Sequence, residues 1–284
     1  LALKSILNPT DEVLILAPYW VSYPSMVAMV GANPVVVPLS SADNYTIHLE
    51  QLREYFTPNT KAIIVNSPNN PSGRVLTQAE ADAITTLAQE SDLWVIADEI
   101  YEKITYDQRQ HLALASIPEL TDRTLTINGV SKGHAMTGWR LGWLVGPKRV
   151  LDIATIFNSQ TVTSTATFTM HAATAALTGP QDIIETMRQS YEDRRDFIVE
   201  AFNSIDNFYC PQIEGAFYAF PQVKNTDKSS EEIANLILNE AQVVGVPGSA
   251  FGITESVHIR FSYATHQSLL EKAIDRIRKI AHLL

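Results

Sequence analysis

Apolar residues along this chain follow two rhythms. Short unbroken runs, EVLILAP (12–18), NPVVVPL (33–39), KAIIVNS (61–67), LWVIADE (93–99), TLTINGV (124–130) and RLGWLVG (140–146), have the length and β-branched content of buried strands. Between the third and fourth, TQAEADAITTLAQES opens on Thr77 with Glu80 three residues later, the spacing of a capping box at a helix start. Strand, helix, strand at this spacing is a βαβ unit. The pattern therefore predicts a mostly parallel sheet covered by helices on both faces. Only about ten residues join the fifth and sixth runs, fewer than the dozen or so that a parallel crossover needs. The sixth is expected to return antiparallel, with Asn128-Gly129 as the turn leaving the fifth and Arg140 opening the sixth.

From about residue 181 the rhythm lengthens. QDIIETMRQSYEDRRDFIVEAFNSI reads as one long amphipathic helix, with Ile184, Met187, Tyr191, Ile198 and Phe202 as its buried stripe. GAFYAFPQV and SVHIRFSYA read as strands. SSEEIANLILNEA is a helix capped by Ser229 and Glu232, and the final THQSLLEKAIDRIRKIAHLL carries an apolar face through Leu270, Ile274, Ile277 and Ala281. The division expected is a large α/β domain over 1–180 and a smaller α+β domain over 181–284. The opening LALKSILNPTDEV reads as the back half of a helix, so the sequence is expected to begin inside a domain.

Ligands of open α/β sheets bind outside the carboxyl ends of the parallel strands, so the residues just past each run carry the chemistry. They are Tyr19 and Trp20 after the first, Asn70 within NSPNNPSG after the third, Asp98 and Tyr101 at and after the fourth, and Lys132 after the fifth. Taken singly, each has a plain structural role. Lysines are mostly solvated, an Asp after a strand can cap a helix, and Asn69 or Asn70 can shape a turn. Together with Arg140 they bring an indole, an amide, a carboxylate, a phenol, an amine and a guanidinium to one edge. An amine of lowered pKa forms a Schiff base with an aldehyde. A carboxylate beside a pyridine nitrogen keeps it protonated, and an aromatic face can stack on the ring. A guanidinium fork suits a phosphate. This inventory suits pyridoxal phosphate.

The motifs PYWVSYP, NSPNNPSG, ADEIYEKI, GVSKGHAMTGWRLG and VHIRFSYA occur in this order, with Arg140 eight residues after Lys132. On these the chain resembles the class I, fold type I pyridoxal-phosphate aminotransferases, most closely the bacterial-type aspartate/prephenate subgroup. The resemblance implies a mostly parallel seven-stranded-type sheet with helices on both faces and a smaller C-terminal α+β domain, the N-terminal part of the family fold lying outside this sequence. By resemblance Lys132 is the Schiff-base lysine and the proton-transfer base, and Asp98 partners the ring nitrogen. Asn70 and Tyr101 meet the ring oxygen, Trp20 covers the ring, and Arg140 with Ser131 holds the phosphate. Arg260, a charge on an otherwise apolar strand, clamps the substrate carboxylate, with Asn70 and Trp20 beside it. The implied reaction passes an amino group from an L-amino acid, aspartate foremost, to a 2-oxo acid, 2-oxoglutarate foremost, in a homodimer. The rival readings are another α-carbon chemistry such as a carbon–sulfur lyase, and a non-catalytic pyridoxal-phosphate-binding regulatory domain.

Composition narrows the rest. Among 284 residues, 45% are hydrophobic and 18% charged, which is ordinary for a globular chain. The excess of 31 acidic over 21 basic residues argues against a nucleic-acid partner. No apolar run approaches the roughly 20 residues that cross a bilayer, so no membrane partner is expected. The single Cys210 suits a reducing, cytoplasmic setting and reads as a small buried hydrophobe. No strand–GxGxxG–helix stretch supports a dinucleotide fold, and no set of metal ligands is read from the sequence.

Overall fold

The computed structural model describes all residues from Leu1 to Leu284. A short helix α1 (Ala2–Ile6) leads into six strands of one sheet: β1 (Glu12–Ala17), β2 (Asn33–Pro38), β3 (Thr60–Asn66), β4 (Trp94–Asp98), β5 (Thr124–Gly129) and β6 (Gly142–Val145). Their order is β2-β1-β3-β4-β5-β6, so six strands form the sheet where the family resemblance implies seven. All neighbours are parallel except β5 and β6, which pair antiparallel as the short connection demands. Helices α2 (Tyr23–Met29), α3 (Leu49–Tyr55) and α4 (Gln78–Ser91) make the crossovers, and α4 starts on the expected Thr77–Glu80 capping box. Successive strand residues face opposite sides. Leu14, Ile63, Val65 and Val95 pack beneath α4 with Ile84 and Leu87, whereas Val13, Ile15, Ile64 and Ile96 pack on the other face with Val27. Burial on both sides explains why these strands read as continuous apolar runs.

The β5–β6 connection departs from expectation in detail. Asn128 and Gly129 belong to β5 itself, opposite Trp143 and Gly142. The backbones come so close here that a Cβ on Gly142 would lie 2.9 Å from the Asn128 carbonyl oxygen. Arg140 precedes β6 rather than opening it, in the left-handed region at φ 55°. Helices α5 (Lys148–Thr161) and α6 (Thr167–Thr178) follow. They escape a sequence reading because much of their apolar surface is exposed and no clean stripe emerges, as at Ile156, Val162 and Phe168.

The long helix α7 (Asp182–Asn203) forms as expected, but its stripe differs. Ile184, Ile198 and Phe202 are buried, Met187 and Tyr191 only partly, and Arg195 is 1% exposed. Arg195 is tolerated because its guanidinium donates to both Asp107 oxygens (2.7 and 2.9 Å) and lies over the Tyr106 ring. A second sheet follows, built from β7 (Phe208–Tyr209), β8 (Tyr218–Ala219), β9 (Gln222–Val223), β10 (Val246–Pro247) and β11 (Val257–Ser262). Helix α8 (Ser230–Leu236), with its Ser229–Glu232 capping box, and α9 (Gln267–Ile280) pack against it. Leu270, Ile274 and Ile277 of α9 point inward; Ala281 is only partly buried and Ile280 takes its place. Cys210 is 2% exposed in this core, and burial pushes its thiol up to about 12. No helix is long and apolar enough to cross a membrane.

Candidate active site

Parallel register sets the site. Asn66 of β3 pairs with Asp98 of β4, and Asp98 with Ile127 of β5, so three strands end side by side. Just beyond lies a cavity of about 580 Å³, of the size that takes a cofactor and substrate. Trp20, Asn70, Asp98, Tyr101, Ser131, Lys132, Arg140 and Arg260 all line it. Arg260 arrives from the second sheet, on β11, so the cavity lies between the two sheets.

Asp98 closes the deep end. The Tyr23 hydroxyl donates to its Oδ2 at 2.5 Å and the Ile100 amide to its Oδ1 at 3.3 Å. Burial raises the Asp98 pKa, while the Tyr23 hydrogen bond and the Lys132 charge oppose the rise. Tyr23 is the main residue that sequence reasoning misses. It sits inside PYWVSYP, but its contact with Asp98 spans 75 positions, and no local pattern reports it. Asn66 is another. Its Nδ2 donates to the Asp98 carbonyl and its Oδ1 accepts from the Asn70 amide, tying the two strand ends together. Asn69 takes the turn-forming role, with Oδ1 accepting from both the amide and hydroxyl of Ser72. Asn70 is thereby left to face the cavity, where its Oδ1 accepts from Arg260 Nη1 at 3.0 Å.

Lys132 is half-buried. Desolvation, and then the charges of Arg140 and Arg260, lower its pKa, with Asp98 opposing. Its ammonium lies 6.0 Å from the Tyr101 ring centre and 5.8 Å from that of Phe217. Tyr101 is buried, shares a 2.9 Å hydrogen bond with the Tyr218 hydroxyl, and has its pKa raised by burial. Trp20 meets Tyr23 edge-on at 5.5 Å. Arg140 is exposed at the mouth, where its Nη1 donates to the Thr137 carbonyl, and Ser131 stands at the same rim. Arg260 lies over Tyr218 and Phe251, at 4.7 and 4.9 Å, with no carboxylate in reach among its contacts. Desolvation lowers its pKa. A half-buried guanidinium without a counter-ion is costly, and an anionic ligand relieves that cost.

An amine of lowered pKa, a largely enclosed carboxylate and two separated guanidinium groups thus meet in one cavity at an α/β sheet edge, an arrangement suited to small anionic ligands. The particular family follows from comparison. Residues 1–277 match the model of the class I and II aminotransferases. The aspartate aminotransferase of Bacillus sp. (strain YM-2) is 42% identical, the alignment covering 96% of this chain and 70% of that one. The structure of the aromatic aminotransferase from Pyrococcus horikoshii OT3 superposes with a TM-score of 0.96 at 38% identity, covering 99% of this chain and 76% of the other. That of the Thermus thermophilus aspartate aminotransferase with maleate gives 0.93 at 36% identity, covering 98% and 72%. The chain belongs to the class I and II aminotransferases, enzymes that transfer amino groups.

Proposed function

We propose that this aminotransferase takes the amino group of L-aspartate and passes it to 2-oxoglutarate in two half-reactions on bound pyridoxal phosphate. The observation that carries the reading is the meeting of Lys132, Asp98, Arg140 and Arg260 in one cavity. The donor set fits the cofactor: Asp98 for the ring nitrogen, Asn70 and Tyr101 for the ring oxygen, Trp20 for the ring face, and Arg140 with Ser131 for the phosphate. When bound, pyridoxal phosphate supplies an aldehyde for amine capture and a ring that accepts electron density from the substrate α-carbon.

Everything else is work for this chain's own side chains. Asp98, whose ionised form the Tyr23 hydroxyl favours against the cost of burial, would pair with the cofactor's ring nitrogen at the deep end of the cavity. Arg260, whose guanidinium faces the cavity beside Asn70, would hold the substrate α-carboxylate. Lys132, with its pKa lowered, would be the base that takes and returns the proton at the substrate Cα. Tyr101 and the Phe217 ring beside the amine limit the water that reaches it.

Aspartate is favoured as donor by the names of the relatives and by the maleate, a four-carbon dicarboxylate, held by the Thermus thermophilus enzyme. We read residues 1–180 as the cofactor-binding domain, 181–284 as the small domain, and the cytoplasm as the setting. A homodimer is supported by the exposed apolar side chains of Ile153, Ile156, Phe168 and Met170 on α5 and α6. Absorbance spectra test the function. Added cofactor should give an imine band that Lys132→Ala abolishes and that aspartate bleaches. Absence of the band overturns the proposal, and bleaching by aromatic amino acids alone overturns the donor.

A further inference from the structure

Immediately behind Asp98, outside the cavity, two side chains are left with unmet bonding capacity. Glu99 is 5% exposed, and its Oε1 has no hydrogen-bond partner. The ring of His111 is 11% exposed and neither nitrogen makes a hydrogen bond. Glu99 Oε2 and His111 Nε2 stand 3.2 Å apart but out of line for a hydrogen bond. Buried polar groups are nearly always satisfied, so orphaned atoms on two touching residues call for a partner. A third oxygen ligand stands next to them. One ligand atom each from Glu99, Glu102 and His111 lies within 4.8 Å of the other two.

We propose that Glu99, Glu102 and His111 bind a divalent transition-metal cation, Zn²⁺ foremost. One imidazole nitrogen and two carboxylate oxygens are a donor set that Zn²⁺ accepts, with water completing the shell on the Glu102 side. Tetrahedral bonds of about 2.0–2.2 Å put ligand atoms about 3.3–3.6 Å apart. The Glu99–His111 pair already has nearly that spacing. The Glu102 side chain is 29% exposed and swings in, releasing Lys103, whose ammonium now stands 3.6 Å away. No other charged group contacts the pair among the ion pairs of this region.

The backbone favours the site. The Glu99 amide donates to Ile127 on β5 and the Glu102 amide to the Glu99 carbonyl, which fixes the turn carrying both carboxylates. His111 is delivered by the loop that returns after Tyr106. Bound metal would staple that loop to the end of β4, one residue from Asp98. Its role is to hold the strand end, without contact with the reacting atoms.

Zn²⁺ binding to the purified full chain, read by competition with a chromophoric chelator, tests this, with Co²⁺ spectra reporting coordination by nitrogen and oxygen. One equivalent should bind with a Kd of about 10 µM or tighter and raise Tm. Glu102→Gln and His111→Asn should each weaken it at least about tenfold, while the exposed control Glu119→Gln leaves it unchanged. Glu102 is partly exposed, so its variant stays folded even if changes at Glu99 do not. No binding below about 100 µM overturns the proposal. So does Zn²⁺ affinity that survives both variants, which would place the ion at surface groups such as His48 and Asp43.

Discussion

Tyr23→Phe removes one oxygen and leaves the ring in place against Trp20. The hydroxyl it removes donates to Asp98 Oδ2 at 2.5 Å, the length of a strong charge-assisted bond. Burial already disfavours the Asp98 anion, and Tyr23 is the largest of the groups that offset this. After the substitution the Ile100 amide, at 3.3 Å, is the remaining hydrogen-bond donor to the carboxylate. A hydrogen bond to a charged group contributes about 1.5–3 kcal/mol. If Asp98 must be ionised to act, kcat/KM near neutral pH should fall roughly ten- to a hundredfold. The sign with pH is also set. Losing the donor raises the Asp98 pKa further, so the acid limb of the kcat/KM profile moves to higher pH, and part of the loss is recovered as pH rises. The assay is kcat/KM for aspartate with 2-oxoglutarate across pH in wild-type and variant. A profile that superimposes on wild-type, with rates within about twofold, would refute the link between Tyr23 and Asp98 charge.

Three further outcomes follow from the same geometry. Arg260→Lys keeps the charge but loses the planar fork, so kcat/KM should drop by about 1.5–3 kcal/mol while Tm holds; an unchanged kcat/KM would remove Arg260 from carboxylate binding. Burial pushes His258 down to about 4, where it stacks on Phe220 and bonds the Tyr45 hydroxyl. Its folded pKa lies below its unfolded value, so the stability it contributes is present above about pH 6.5 and is lost as pH falls towards 4, on the order of 3 kcal/mol. Urea unfolding at several pH values checks this, and His258→Leu should flatten the acid slope. Arg195→Met should cost about 3 kcal/mol in urea unfolding, because the buried Ile213 carbonyl loses its donor while the half-exposed Asp107 regains water. A cost under about 1 kcal/mol would show that the ion pair is not what holds α7 to the turn at Asp107.

Much of this protein is legible in one dimension because its main sheet is built from local rules. Strands buried on both faces must be continuous apolar runs, as β1, β3 and β4 are, and each of β1 to β6 matches one such run to within a residue or two at its ends. Capping boxes are three residues wide, so Thr77–Glu80 and Ser229–Glu232 can be read directly. A connection too short for a crossover forces β6 to turn back. Given parallel strands, the residues after each run must share an edge, and for this reason Trp20, Asn70, Asp98, Tyr101 and Lys132, with Arg140 on the returning segment, are legible as one group, whereas Ser131 and Arg260, the latter on a strand of the second sheet, follow only from the family resemblance.

Tertiary structure decided the contacts whose partners lie far apart in the chain. Tyr23 meets Asp98, Arg260 meets Asn70, and Arg195 meets Asp107, across 75, 190 and 88 positions. No periodicity encodes such pairs, since each depends on how one element packs on another. An Arg on a helix stripe reads as solvated until the packing supplies its carboxylate. A Glu and a His twelve residues apart read as surface charges until the fold buries them together. The sequence alone determined the strands of the main sheet, the capped and amphipathic helices, and the edge at which the chemistry stands. Packing decided which charges are satisfied, and those left unsatisfied, Arg260 in the cavity and Glu99 with His111 behind it, are where the structure calls for a ligand.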